Sequence, residues 1–72
     1  MLFLTEEQKE FLKENFKKED AEKMISTDDL DDILLPLDAL ITYQGFDEDY
    51  LLNSWGNKAQ SIYDQIYLQN KN

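Results

Sequence analysis

The 72 residues carry sixteen acids against seven lysines and no arginine, a formal net charge of −9, which makes phosphate backbones and anionic membrane surfaces the wrong partners for this chain. There is no cysteine and no histidine, so disulfides, soft-metal sites and nucleophilic catalysis of the Ser-His or Cys-His kind are excluded. The length fits one small domain held by apolar packing, and a composition with no valine and only three threonines is poor in strand formers, which points to an all-helical fold.

The opening Met1-Leu2-Phe3-Leu4 runs at once into Thr5-Glu6-Glu7, without a basic leader region or a long apolar core, so no signal peptide is expected. No run approaches the roughly 18 apolar residues that span a bilayer. A cytoplasmic protein without membrane association is the expectation. Thr5 and Gln8 have the spacing of a capping box, in which each side chain satisfies the other residue's backbone amide, and a helix over about 6–16 should start there. Phe11, Leu12 and Phe16 share one side of it, and Glu14 and Lys18 have i,i+4 spacing on the other.

The apolar spacing slips between Phe16 and Ala21 and resumes with Met24 and Ile25, placing a joint at 17–20 and a short extra helix at about 19–25. The alternative is a single helix over 6–25. The next stretch, STDDLDDILLPLDALITYQG, holds the densest apolar stripe and the densest acid cluster of the chain. On a helical wheel Leu30, Ile33, Leu34, Leu37, Leu40 and Ile41 fall within about 120° of one another, with Asp28, Asp31, Asp32 and Asp38 on the far side. Pro36 removes one ladder hydrogen bond, yet the apolar phase is the same before and after it, so one helix over about 28–44, kinked at Pro36, is expected. Ser26 or Thr27 is its expected cap, and Gly45 its expected left-handed stop, with Phe46 folding back on the last turn.

Asp47 and Asn53 are rival caps for the last helix. A start at Asn53 keeps Gly56 in the first turn, where glycine costs less, and leaves 46–52 as a tethered loop. The final helix, about 54–69, places Trp55, Ala59, Ile62 and Ile66 on one stripe with Tyr63 and Tyr67 on its shoulder, and Gly56 and Ala59 let the central helix come close. The fold expected is therefore an all-α, single-domain bundle of three main helices with the short extra one. Its core is expected to gather Leu30, Leu34, Leu37, Ile41, Trp55, Ile62 and Ile66, closed on one side by Phe11, Leu12 and Phe16. Leu35 and Leu68 point away from their stripes.

The turn GFDEDYLLNSWG and the end IYDQIYLQN resemble short acidic proteins carried by phages and integrative elements of Gram-positive bacteria, a likeness that covers about the last third of the chain. No activity is attached to that group, so the resemblance implies a setting in a mobile genetic element and no functional residues. Abundant lysine, asparagine and isoleucine with no arginine fit the AT-rich genomes of such elements.

Ser26, Ser54 and Ser61 have no base to activate them, and the Asp28 and Asp32 pair lies on a helix face expected to be wet, so no catalytic residues and no cofactor are assigned. The acid runs at 28–32 and 47–49 supply hard oxygen ligands, which makes a weak divalent-cation site an alternative reading. The EF-hand pattern fails, however. Counting from Asp29, the fifth and sixth positions are Ile33 and Leu34, and counting from Asp47 the fifth is Leu51, so no metal ligands are assigned either. The aromatic residues are read as core and boundary packing, because the charge has the wrong sign for direct nucleic-acid binding.

What remains is a non-enzymatic protein–protein interaction module. Residues 26–57 hold eight acids and no lysine, whereas the lysines gather before Met24, so Asp28, Asp29, Asp31, Asp32, Asp47, Glu48 and Asp49 are the candidate contacts for a basic partner. The rival is a small structural protein that self-associates through apolar surface at Leu35, Tyr67 and Leu68.

Overall fold

In the computed structural model, which describes residues 2–71, four helices follow one another: α1 (Glu6–Asn15), α2 (Lys18–Ser26), α3 (Asp31–Gln44) and α4 (Ser54–Asn70). The chain is all-helical, and the one β pairing among the described residues is an isolated antiparallel bridge between Phe46 and Leu52.

Helix α1 begins at the capping box, with Thr5 Oγ1 accepting from the Gln8 amide at 3.2 Å and Gln8 Oε1 accepting from the Thr5 amide at 3.0 Å. It ends where Phe16 turns extended and donates its amide to the Leu12 carbonyl, so the joint falls at 16–17, earlier than the expected 17–20, and a continuous 6–25 helix does not form. Glu14 and Lys18 thereby fall on different helices. Helix α2 buries Ala21 and Met24 and packs on both α1 and α3.

The central helix starts at Asp31, three residues later than the acid run suggests. Ser26 belongs to α2, where its hydroxyl donates back to the Glu22 carbonyl, and it caps nothing. Thr27 Oγ1 accepts from the Asp29 amide, as a cap would, but Asp29 Oδ1 then takes the Asp31 amide, which a helix capped at Thr27 would send to the Thr27 carbonyl. The helix then runs unbroken through Pro36, whose missing amide leaves the Asp32 carbonyl without its ladder donor.

Gly45 stops α3 in a right-handed conformation (φ −86°), not the left-handed one expected of a glycine cap. Space explains the glycine: a Cβ there would lie 2.6 Å from the Ile41 carbonyl oxygen and 3.3 Å from Gly56 Cα. A Cβ on Gly56 would in turn lie 2.9 Å from Gly45 Cα and nearer still to its carbonyl oxygen, so the end of α3 and the start of α4 touch backbone to backbone. Asn53 locks this crossing. Its amide donates to the Gly45 carbonyl (2.8 Å), its Nδ2 to the Gln44 carbonyl (2.9 Å), and its Oδ1 caps α4 at the Gly56 amide (2.7 Å). The later of the two candidate starts for the last helix is the one the chain adopts.

Ile33, Leu34, Leu37 and Ile41 of α3 meet Ala59, Ile62 and Ile66 of α4, with Phe11, Leu12, Met24 and Leu4 completing the buried core. Leu30, Phe16 and Trp55, expected inside, are half-buried against its rim. Trp55 stacks on Phe11 with ring centroids 6.0 Å apart and donates its indole N–H to Asn15 Oδ1 at 3.0 Å, and that polar handle holds it at the boundary.

Gln8 is the unexpected core member, fully buried although polar. Its Nε2 donates to Gln65 Oε1 (3.1 Å) and Gln69 Oε1 (3.0 Å), and its Oε1 accepts from Gln69 Nε2 (3.0 Å) as well as from the Thr5 amide. Beside it, Asn70 Oδ1 accepts from the Phe3 amide at 2.7 Å while its Nδ2 donates to the Phe3 carbonyl at 2.9 Å. Together these amides fasten the segment before α1 to the last two turns of α4.

Candidate interaction surface

The seven acids singled out from the sequence occupy two places. Asp28, Asp29, Asp31 and Asp32 lie in the turn between α2 and α3 and in the first turn of α3, where the helix dipole and free amides favour negative charge. Asp32, half-buried, accepts the Thr27 hydroxyl proton at 2.6 Å, and the other three are exposed. Asp47, Glu48 and Asp49 lie in the α3–α4 loop. There Asp47 Oδ1 accepts from the amides of Asp49 (2.9 Å) and Leu51 (3.1 Å), and the Asp47 amide donates to the Leu51 carbonyl (2.8 Å). The loop carries Tyr50 at φ 62°, with Tyr50 87% and Leu51 65% exposed.

Between Asp32 and the loop acids run residues 33–44 of α3, about 18 Å of helix at 1.5 Å per residue. That is more than the screening length of about 8 Å at physiological salt, so the groups act as two separate anionic ends and not as one continuous face. Folding also changes the charge balance of the first end. Lys23 of α2 borders a groove with Asp31 and Asp32, and Lys71 shares a recess with Asp28 and Asp29, although neither lysine lies in the lysine-free stretch of sequence.

That groove runs between α2 and α3 and was not foreseen as a unit. Phe16, Met24, Leu35 and Pro36 supply its apolar lining and Asp20, Lys23, Asp31 and Asp32 its charged lining, around a volume of about 440 Å³. The sequence does hold a sign of it, since Asp20 and Met24, Asp31 and Leu35, and Asp32 and Pro36 all have i,i+4 spacing, which stacks an acid one turn before each apolar residue. Which helix faces which could not be read from that spacing.

The chemistry open to this surface is ion pairing and apolar contact. Among the described residues no three acids come together in a group able to hold a metal ion. The Ser26 hydroxyl is bonded to backbone carbonyls, and Ser54 and Ser61 are exposed. Leu35 (66% exposed), Tyr67 (46%) and Leu68 (60%), the residues named for self-association, all reach solvent, but Leu35 opens into the α2–α3 groove while Tyr67 lines the recess near the chain ends. No described helix is long and apolar enough to cross a membrane. Comparisons with protein-family models, with curated proteins and with solved structures found no match.

Proposed function

We propose that this chain is a non-enzymatic interaction module of the cytoplasm, whose acidic groups at Asp28, Asp29, Asp31 and Asp32 and at Asp47, Glu48 and Asp49 engage a basic protein. The observation that carries this reading is the placement of exposed apolar side chains beside each acidic group, Leu35 at one end of α3 and Tyr50 and Leu51 at the other. Acids that only confer solubility have no need of such neighbours, whereas an interface uses charge for approach and apolar contact for residence. A regulator or inhibitor belonging to a phage or mobile element fits both the charge and the sequence resemblance. Such a protein occupies the basic surface of its target, so it needs no catalytic group.

The second reading is self-association, favoured by Phe3, which is 61% exposed and clasped to Asn70 close to Tyr67 and Leu68. The two readings differ in salt dependence. A pull-down from the native host at low and high salt, beside light scattering of the purified protein, tests both. Capture of a basic protein that weakens with salt and is lost on charge reversal at Asp31 and Asp32 supports the first. A salt-stable dimer that captures nothing refutes it in favour of the second.

A further inference from the structure

We infer that the groove between α2 and α3 is the seat of an apolar side chain from a basic amphipathic helix of the partner, a step that rests on the interaction reading and gives it a specific site. The groove is an open depression of about 440 Å³, which leaves room for one large apolar side chain. The lining is amphipathic in a particular way. Phe16, Met24, Leu35 and Pro36 offer apolar contact, and three carboxylates, those of Asp20, Asp31 and Asp32, stand among them against the single ammonium of Lys23.

Charge selects the occupant. An apolar side chain flanked by lysine or arginine satisfies both parts of the lining, whereas an acidic or neutral segment leaves the carboxylates without a counter-charge. A second copy of this chain is disfavoured by its own charge of −9, and helices α1 and α2, which carry two lysines each, mix them with four and three acids respectively. Leu35 is the anchor on this side. It is 66% exposed on a helix whose other large apolar residues are buried or half-buried up to Ile41.

The test is a titration of the isotope-labelled chain with three short helical peptides, followed by the methyl and amide resonances. One peptide places leucine at i and i+4 among lysines, the second replaces those leucines by serine, and the third replaces the lysines by glutamate. The first peptide is expected to shift Met24 and Leu35, the second to bind about tenfold more weakly, equivalent to the loss of one good apolar contact, and the third not at all. Leu35→Ser should weaken the first peptide by a similar factor, and Asp20→Asn with Asp31→Asn by severalfold. These three side chains are exposed, so the variants keep the fold, which circular dichroism verifies.

Equal binding of the leucine and serine peptides, or shifts that map to Tyr50 and Leu51 instead of the groove, would overturn the groove while leaving the basic-partner reading standing. Absence of binding by either basic peptide at low salt would remove both. Concentration-dependent shifts of Leu35 without any peptide would assign the groove to a second copy and overturn the proposal.

Discussion

Substituting Gly56 by alanine separates two expectations of opposite sign. Gly56 lies in the first turn of α4, where an alanine is ordinarily better than glycine, though by less than the about 1 kcal/mol of a helix interior. Here the added methyl would stand 2.9 Å from the Cα and the carbonyl carbon of Gly45, against a comfortable carbon–carbon separation of about 3.5–4.0 Å. Backbone has no rotamer to change, so the overlap is relieved only by drawing the end of α3 away from the start of α4. That motion loosens the three hydrogen bonds of Asn53 and the packing of Ile41 against Ala59. Overpacking of this kind costs about 1–3 kcal/mol, and a clash with backbone belongs at the top of that range, which leaves a net loss of about 2 kcal/mol after the propensity gain. For a domain of this size the loss corresponds to a fall in Tm of about 8–16 °C. Urea unfolding followed by circular dichroism and by Trp55 fluorescence measures it, with exposed Ser61→Ala as a control expected to stay within about 0.5 kcal/mol of the parent. A Gly56→Ala protein as stable as the parent, or more so, would refute the close crossing.

Truncating Leu37 or Ile62, both fully buried, to alanine should cost about 2–5 kcal/mol in the same urea experiment, and a loss under about 1 kcal/mol at both would show that they do not share a core. Gln8→Leu removes the partner of the Thr5 amide and the three hydrogen bonds that tie Gln8 to Gln65 and Gln69 of α4, so a loss of about 1–3 kcal/mol is expected. Amide exchange should then quicken first in the segment before α1, and unchanged exchange there would argue against the clasp. Thermal melts with calcium, with magnesium and with chelator should superimpose, because neither acid run has the ligand spacing of a known cation loop. A large rise in Tm at sub-millimolar calcium would contradict that.

Local chemistry was readable wherever a side chain acts on its own neighbourhood. The Thr5 and Gln8 capping box, the Asn53 cap, the joint after Phe16 and the common phase of Leu34, Leu37 and Ile41 across Pro36 all depend on spacings of three or four residues, and spacing is what a sequence displays. The start of α3 was misplaced because Thr27 and Asp29 have two competing local uses, as helix caps or as turn formers. The competition is settled by where α2 must meet α3, which is a tertiary matter. Gly45 shows the same limit. A glycine after a helix suggests a left-handed stop, but only the arrival of Gly56 from eleven residues further along the chain reveals that the missing Cβ serves close approach. The burial of Gln8 depended on amides 57 and 61 residues away, and a polar residue gives no sign in sequence of partners that distant. The acids were identified by composition, yet their division into two ends, and the groove that Leu35 and Asp31 share with Asp20 and Met24, exist only once α2 and α3 pack together, because long-range geometry decides which short-range patterns become one surface.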